Sequence, residues 1–82
     1  MARNSIEDLS IEVVSAVEDA VIGEIMSRAL LNRAKTAAMA VLHRRRIVGS
    51  RVTVSSHANG IVVNLHLPKH PTPVRCVVLA VS

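Results

Sequence analysis

The chain has 82 residues, half of them apolar, with no Phe, Tyr or Trp, one cysteine and a formal net charge of +4. A chain of this length makes one domain and buries only roughly 60% of its extended surface. The lone Cys76 excludes an internal disulfide, and no ligand spacing marks a structural zinc site. All six acids fall within the first 24 positions, against Arg3 alone, for a sum of −5; the remaining nine Lys and Arg residues follow without an acid, for +9. Such a lopsided field speaks to partners and association rather than to fold.

The chain opens with a helical half over 5–45. Asn4 and Ser5 are each followed three residues later by an acid, Glu7 and Asp8, which is a capping-box pattern. Leu9, Val13, Val17, Val21 and Ile25 then recur every four residues, with Ile6, Ala16 and Ala20 beside them. That period predicts an amphipathic helix buried on one side. Four acids interrupt the apolar stretch 11–26, so neither a secretory leader nor a membrane span is expected. Gly23 is the one internal breaker, and the pattern restarts after it in Leu30, Ala34, Ala37, Ala38, Val41 and Leu42. The helix is therefore expected either as one rod kinked near Gly23 or as two helices broken there. The lack of a loop-like stretch favours the continuous rod. His43, Arg44, Arg45 and Arg46 end it with the charge sign that suits a helix C-terminus.

The strand half covers 47–81. Asn59-Gly60 has the chemistry of a two-residue hairpin turn, which predicts a hairpin over 51–67. In that register Ala58 opposes Ile61, Ser56 opposes Val63, Val54 opposes Leu65 and Val52 opposes Leu67. One face is then nearly all apolar, and the other carries Thr53, Ser55, His57, Val62, Asn64 and His66. The Pro-rich linker 68–73 cannot continue the ladder. A C-terminal strand follows over 74–81, largely apolar on both faces. The fold class read from this order is α+β, a long N-terminal amphipathic helix packed on a three-stranded, largely antiparallel sheet within a single domain, 1–82.

Few residues carry chemistry. Arg44, Arg45, Arg46 and Arg51 form a cluster able to grip phosphates through guanidinium forks. The competing reading, given more weight, has the same residues as a solvated helix end that meets the acids of the first helix. Base-specific contacts lack support, because no aromatic stacking platform exists. His57 and His66 share a hairpin face but stand about 13 Å apart in the expected register, too far for one metal ion. Cys76 lies in an apolar strand, where a thiol behaves as a small hydrophobe. No catalytic residue, metal or cofactor is expected. Met26 and Met39 read as core fillers, and Ser56 as a polar residue near the wet end of the hairpin.

The function expected from these features is a non-enzymatic module that self-assembles or binds a protein partner, such as a small structural or accessory component of a larger assembly, including a viral one. Ala34 and Ala38, small enough for close approach, and Val77, Val78 and Leu79 on the last strand are the expected interface. The alternative is a basic nucleic-acid-binding dimer holding phosphates through the arginine cluster; a more distant one is an RNA-cleaving site around His43, His57 or His66. Partners are expected to be other copies of the chain, a nucleic-acid backbone or an acidic protein surface, in a cytoplasmic or otherwise reducing compartment and without a membrane.

Overall fold

A computed structural model describes residues 5–57 and 60–78. Two helices, α1 (Ser5–Val21) and α2 (Arg28–Arg44), precede three strands, β1 (Arg51–His57), β2 (Gly60–His66) and β3 (Val74–Val78). The strands form one antiparallel sheet in the order β1-β2-β3, with both helices on one face. α1 lies over β3, and α2 lies over β1 and part of β2. The α+β architecture expected from the sequence is the one observed.

The continuous rod is not. Gly23 takes a left-handed backbone conformation, φ +76°, which ends α1 at Val21 and turns the chain. Only a residue without Cβ adopts this at little cost. Ser27 then starts α2 afresh: its backbone is extended and its hydroxyl accepts a hydrogen bond from the Leu30 amide at 3.1 Å. Ile25, expected on the buried stripe, consequently sits in the turn and is 81% exposed. Of the two expected caps of the first helix, Ser5 is the first residue of α1 and Asn4 lies outside the described residues.

The core is one layer between helices and sheet. Leu9, Val13, Val17 and Val21 come from α1, and Leu30, Ala34, Ala38, Val41 and Leu42 from α2. Three rows cross the sheet beneath them: Val52–Leu65–Val74, Val54–Val63–Cys76 and Ser56–Ile61–Val78. Among the described residues no polar side chain is buried. Met26 packs against this core, whereas Met39, expected within it, is exposed.

The hairpin register differs from the expectation by two residues. His57 pairs with Gly60, Ser56 with Ile61, Val54 with Val63 and Val52 with Leu65. Gly60 is thus the first residue of β2 rather than part of the turn, and Ala58 and Asn59 lie outside the described residues. A two-residue shift keeps every side chain on its expected face, because the strand period is two. The apolar pattern is therefore satisfied equally by both registers.

Two substitutions test this packing. Gly23→Ala forces a Cβ into the left-handed turn and should cost about 1 kcal/mol. Leu65→Ala, in the fully buried central strand, should cost about 2–5 kcal/mol, a large share of the stability a small domain has. Urea titration followed by far-ultraviolet circular dichroism reads both, and a Leu65→Ala midpoint equal to that of the parent would contradict the core assignment.

Candidate functional site

The arginine cluster is built by the end of α2. Arg45 is the C-cap, with φ −85° and ψ 1°, and the next residue, Arg46, has φ 58°. The Arg46 amide donates to the His43 carbonyl at 3.0 Å and the Ile47 amide to the Leu42 carbonyl at 3.0 Å. This is the Schellman arrangement, in which the left-handed position is usually glycine. An arginine there carries roughly 1–2 kcal/mol of backbone strain. Ile47 packs against the core beside this turn, which fixes the exit of the chain toward β1.

Two of the four arginines are already engaged. Arg45 Nε donates to Glu12 Oε1 at 2.7 Å, and Arg44 Nη2 donates to Glu12 Oε2 at 3.0 Å. One α1 carboxylate thus bridges both guanidinium groups, with hydrogen bonds strengthened by charge. The Arg45 and Arg44 hydrogen bonds hold the Glu12 carboxyl below the usual carboxylate range. At the other end of the helix pair, Arg33 approaches Glu24 at 3.6 Å. The two contacts, 12 with 44/45 and 24 with 33, also define α1 and α2 as antiparallel. Arg46 and Arg51 are exposed and make no ion pair among the described residues.

Beside Arg46 lies a cleft of about 280 Å³ between α2 and β1, lined by Met39, Leu42, His43, Arg46, Val48 and Val52 among others. It is at the small end of ligand pockets. Val48 on its rim is 84% exposed. At the opposite flank a shallow groove between α1 and β3 is lined by Ile11, Val14, Glu18, Arg75, Cys76 and Val77.

The remaining expected sites fall apart spatially or into the core. Ala34, Ala38 and Val78 have no exposed surface. The chain's own helix–sheet layer uses the area that the sequence reading gave to a partner, so these three have none left to offer. Val77 faces away from the helices and is half exposed; Leu79 lies outside the described residues. His57 pairs with Gly60, six residues from His66 along β2, which separates the two histidines by about 20 Å rather than 13. His66 Nε2 instead lies 3.2 Å from the Thr53 hydroxyl. Among the described residues no three His, Cys, Asp or Glu side chains converge, and no helix is long and apolar enough to cross a membrane. Cys76 is buried, and desolvation pushes its thiol up despite a hydrogen bond with Ser10. At neutral pH it is a thiol, the less nucleophilic form.

The sequence reading anticipated that acids of α1 would meet the basic end of α2 but did not single out Glu12. Its signal was available: an acid at position 12 sits next to the core positions 9, 13 and 16–17, on the shoulder where a neighbouring helix passes. Met39, expected in the core, falls on a separate four-residue stripe with Lys35 and His43. Compared with known proteins, the chain matches no family model, no curated protein and no solved structure.

The Glu12 bridge makes stability pH-dependent. Because the folded-state pKa is depressed, its contribution is complete above the unfolded value and is lost as pH falls through the folded one. Glu12→Gln should therefore reduce the fall in urea midpoint between pH 6 and pH 3, and a parental pH profile in that variant would contradict the bridge. Arg46→Gly should keep the fold and raise stability by up to about 1 kcal/mol through relief of strain; a loss of that size would show that the guanidinium itself supports the fold.

Proposed function

We propose that this chain is a non-enzymatic module that self-assembles or binds a protein partner, working as a small structural or accessory component of a larger assembly. The observation that supports it best is the set of large apolar side chains left on the surface: Ile11, Ile22, Ile25, Met39, Val48 and Val77. Single exposed apolar side chains are ordinary, whereas ones that adjoin in a patch mark an interaction surface. Ile11 and Val14 share the α1/β3 groove, Met39 and Val48 share the α2/β1 cleft, and Val77 stands on the sheet face away from the helices. Among the described residues, the outer edges of β1 and β3 pair with no further strand. A buried, unreactive thiol accords with a reducing, cytoplasmic setting.

The second reading is a basic dimer that holds nucleic-acid phosphates through Arg44, Arg45, Arg46 and Arg51. The strain retained at Arg46 favours it, since an exposed arginine kept in a glycine position calls for a use. The Glu12 bridge counts against it, because Arg44 and Arg45 would have to leave a carboxylate to meet a phosphate.

Light scattering on a sizing column, at low and high salt and with a mixed-sequence duplex, separates the two. The assembly reading expects a mass above one chain that ignores the duplex. A single-chain species that shifts onto the duplex at low salt and leaves it at high salt would replace it with the phosphate-binding reading.

A further inference from the structure

The two flanks of the molecule carry opposite chemistry. Along the outer side of α1, Glu7, Ile11, Ser15, Glu18 and, one residue past the helix, Ile22 follow at three- or four-residue spacing, all exposed. Such spacing puts them on a single stripe. Ile11, Ser15 and Glu18 line the groove against β3, and Ile11 and Ser15 also border the groove toward Arg44 and Arg45, so the stripe runs along the outer surface of α1 and reaches the β3 flank at Glu18. On the outer side of α2, Lys35, Met39 and His43 form the equivalent exposed stripe, extended by Arg46 and Val48 in the turn. Met39, His43, Arg46 and Val48 line the cleft against β1, which places this stripe on the β1 flank. One edge of the molecule is thus acidic and apolar, the other basic and apolar. Glu18, Lys35 and Arg46 make no ion pair among the described residues.

We propose that copies of this chain join head to tail, the α1/β3 flank of one seated on the α2/β1 flank of the next. This rests on the self-assembly reading and specifies its surface. The spacing supports it: Ile11 and Glu18 are seven residues apart on α1 and Lys35 and His43 eight residues apart on α2, spans of about 11 and 12 Å along a helix. Laid antiparallel, one register brings Glu18 to Lys35, Ser15 to Met39 and Ile11 to His43. The topology supplies that direction. α1 and α2 are antiparallel within the chain, so adding a neighbour's α2 on the free side of α1 repeats the arrangement that Glu12 and the arginines already hold inside it. In the same step β3 meets the neighbour's β1. Both run opposite to β2, so they would pair as parallel strands and cover the two free sheet edges.

Arg75 is the one cation lining the acidic flank, and it reduces the sign contrast there without reversing it on the helix stripe. A two-fold pairing of α1 stripes is disfavoured, since it sets acids against acids. A head-to-tail contact is heterologous: repeated, it closes into a ring or runs on as a filament. It also accounts for the segregated charges, because each acidic helix then lies between two basic ones.

The test uses two variants of the full chain, Ile11→Asp and Met39→Asp. Both side chains are exposed, so far-ultraviolet circular dichroism should match the parent and urea unfolding should stay cooperative, at a midpoint lowered only by the loss of association. Light scattering is expected to show an assembled parent, each variant alone at the mass of one chain, and the equimolar mixture at the mass of two, because one intact head and one intact tail remain. Glu18→Lys and Lys35→Glu should each weaken association roughly tenfold, and the double variant should recover most of it. An Ile11→Asp or Met39→Asp protein that still dimerises alone, or a mixture that stays single, overturns the head-to-tail contact. An assembled parent whose mass neither variant lowers removes this surface and leaves self-assembly standing. A parent that stays at one chain at every concentration removes both.

Discussion

Everything else in the molecule depends on one apolar layer, filled without a single aromatic ring, between a helical hairpin and one face of a small sheet. Val13, Val17 and Val21 from α1 and Ala34, Ala38 and Val41 from α2 are completely excluded from water there, above Ile61, Val63, Leu65 and Val78. Small side chains at 34 and 38 let α2 approach closely, and the β-branched residues of the sheet suit a pleated surface. Close approach makes good contacts but contributes modest area per residue. The fold is complete but thin, which is the expected condition of a chain this short. Its architecture leaves the second face of the sheet and two strand edges outside that layer.

Charge follows from the same geometry. With α1 acidic and the chain from α2 onward basic, an antiparallel helical hairpin sets opposite signs side by side. Glu12 takes Arg44 and Arg45, and Glu24 approaches Arg33. These contacts lie on the outer groove of the hairpin and remain partly wet, so they set direction more than they add strength. The strained Arg46 lies just beyond them, where glycine would serve the backbone better. A residue that breaks a local rule without an evident structural return marks a place to look for function.

Much of this architecture was legible in the residues. The four-residue apolar stripes gave both buried helix faces, and period-two alternation gave the inward face of the hairpin. The break between the helices was readable only in part. Gly23 is legible as a breaker, but Ser27, whose hydroxyl caps α2, is an ordinary serine until its extended backbone is known. The hairpin register was not legible, because sliding it by two residues buries the same side chains. The candidate interface was read from the wrong property: Ala34 and Ala38 looked available for a partner because they are small, and that smallness is what the chain's own packing uses. Met39 shows the converse, an apolar residue that composition assigns to the core and helix geometry turns outward.

We propose that association with other copies reinforces this thin core, and the dependence of unfolding on protein concentration tests that most directly. If folding and association are linked, the thermal midpoint followed by far-ultraviolet circular dichroism should rise by about 5 °C or more over a hundredfold increase in concentration. A midpoint that stays constant across that range, in a protein that unfolds cooperatively and reversibly, would show that the single chain is sufficient and that its exposed apolar flanks need no partner to hold the fold.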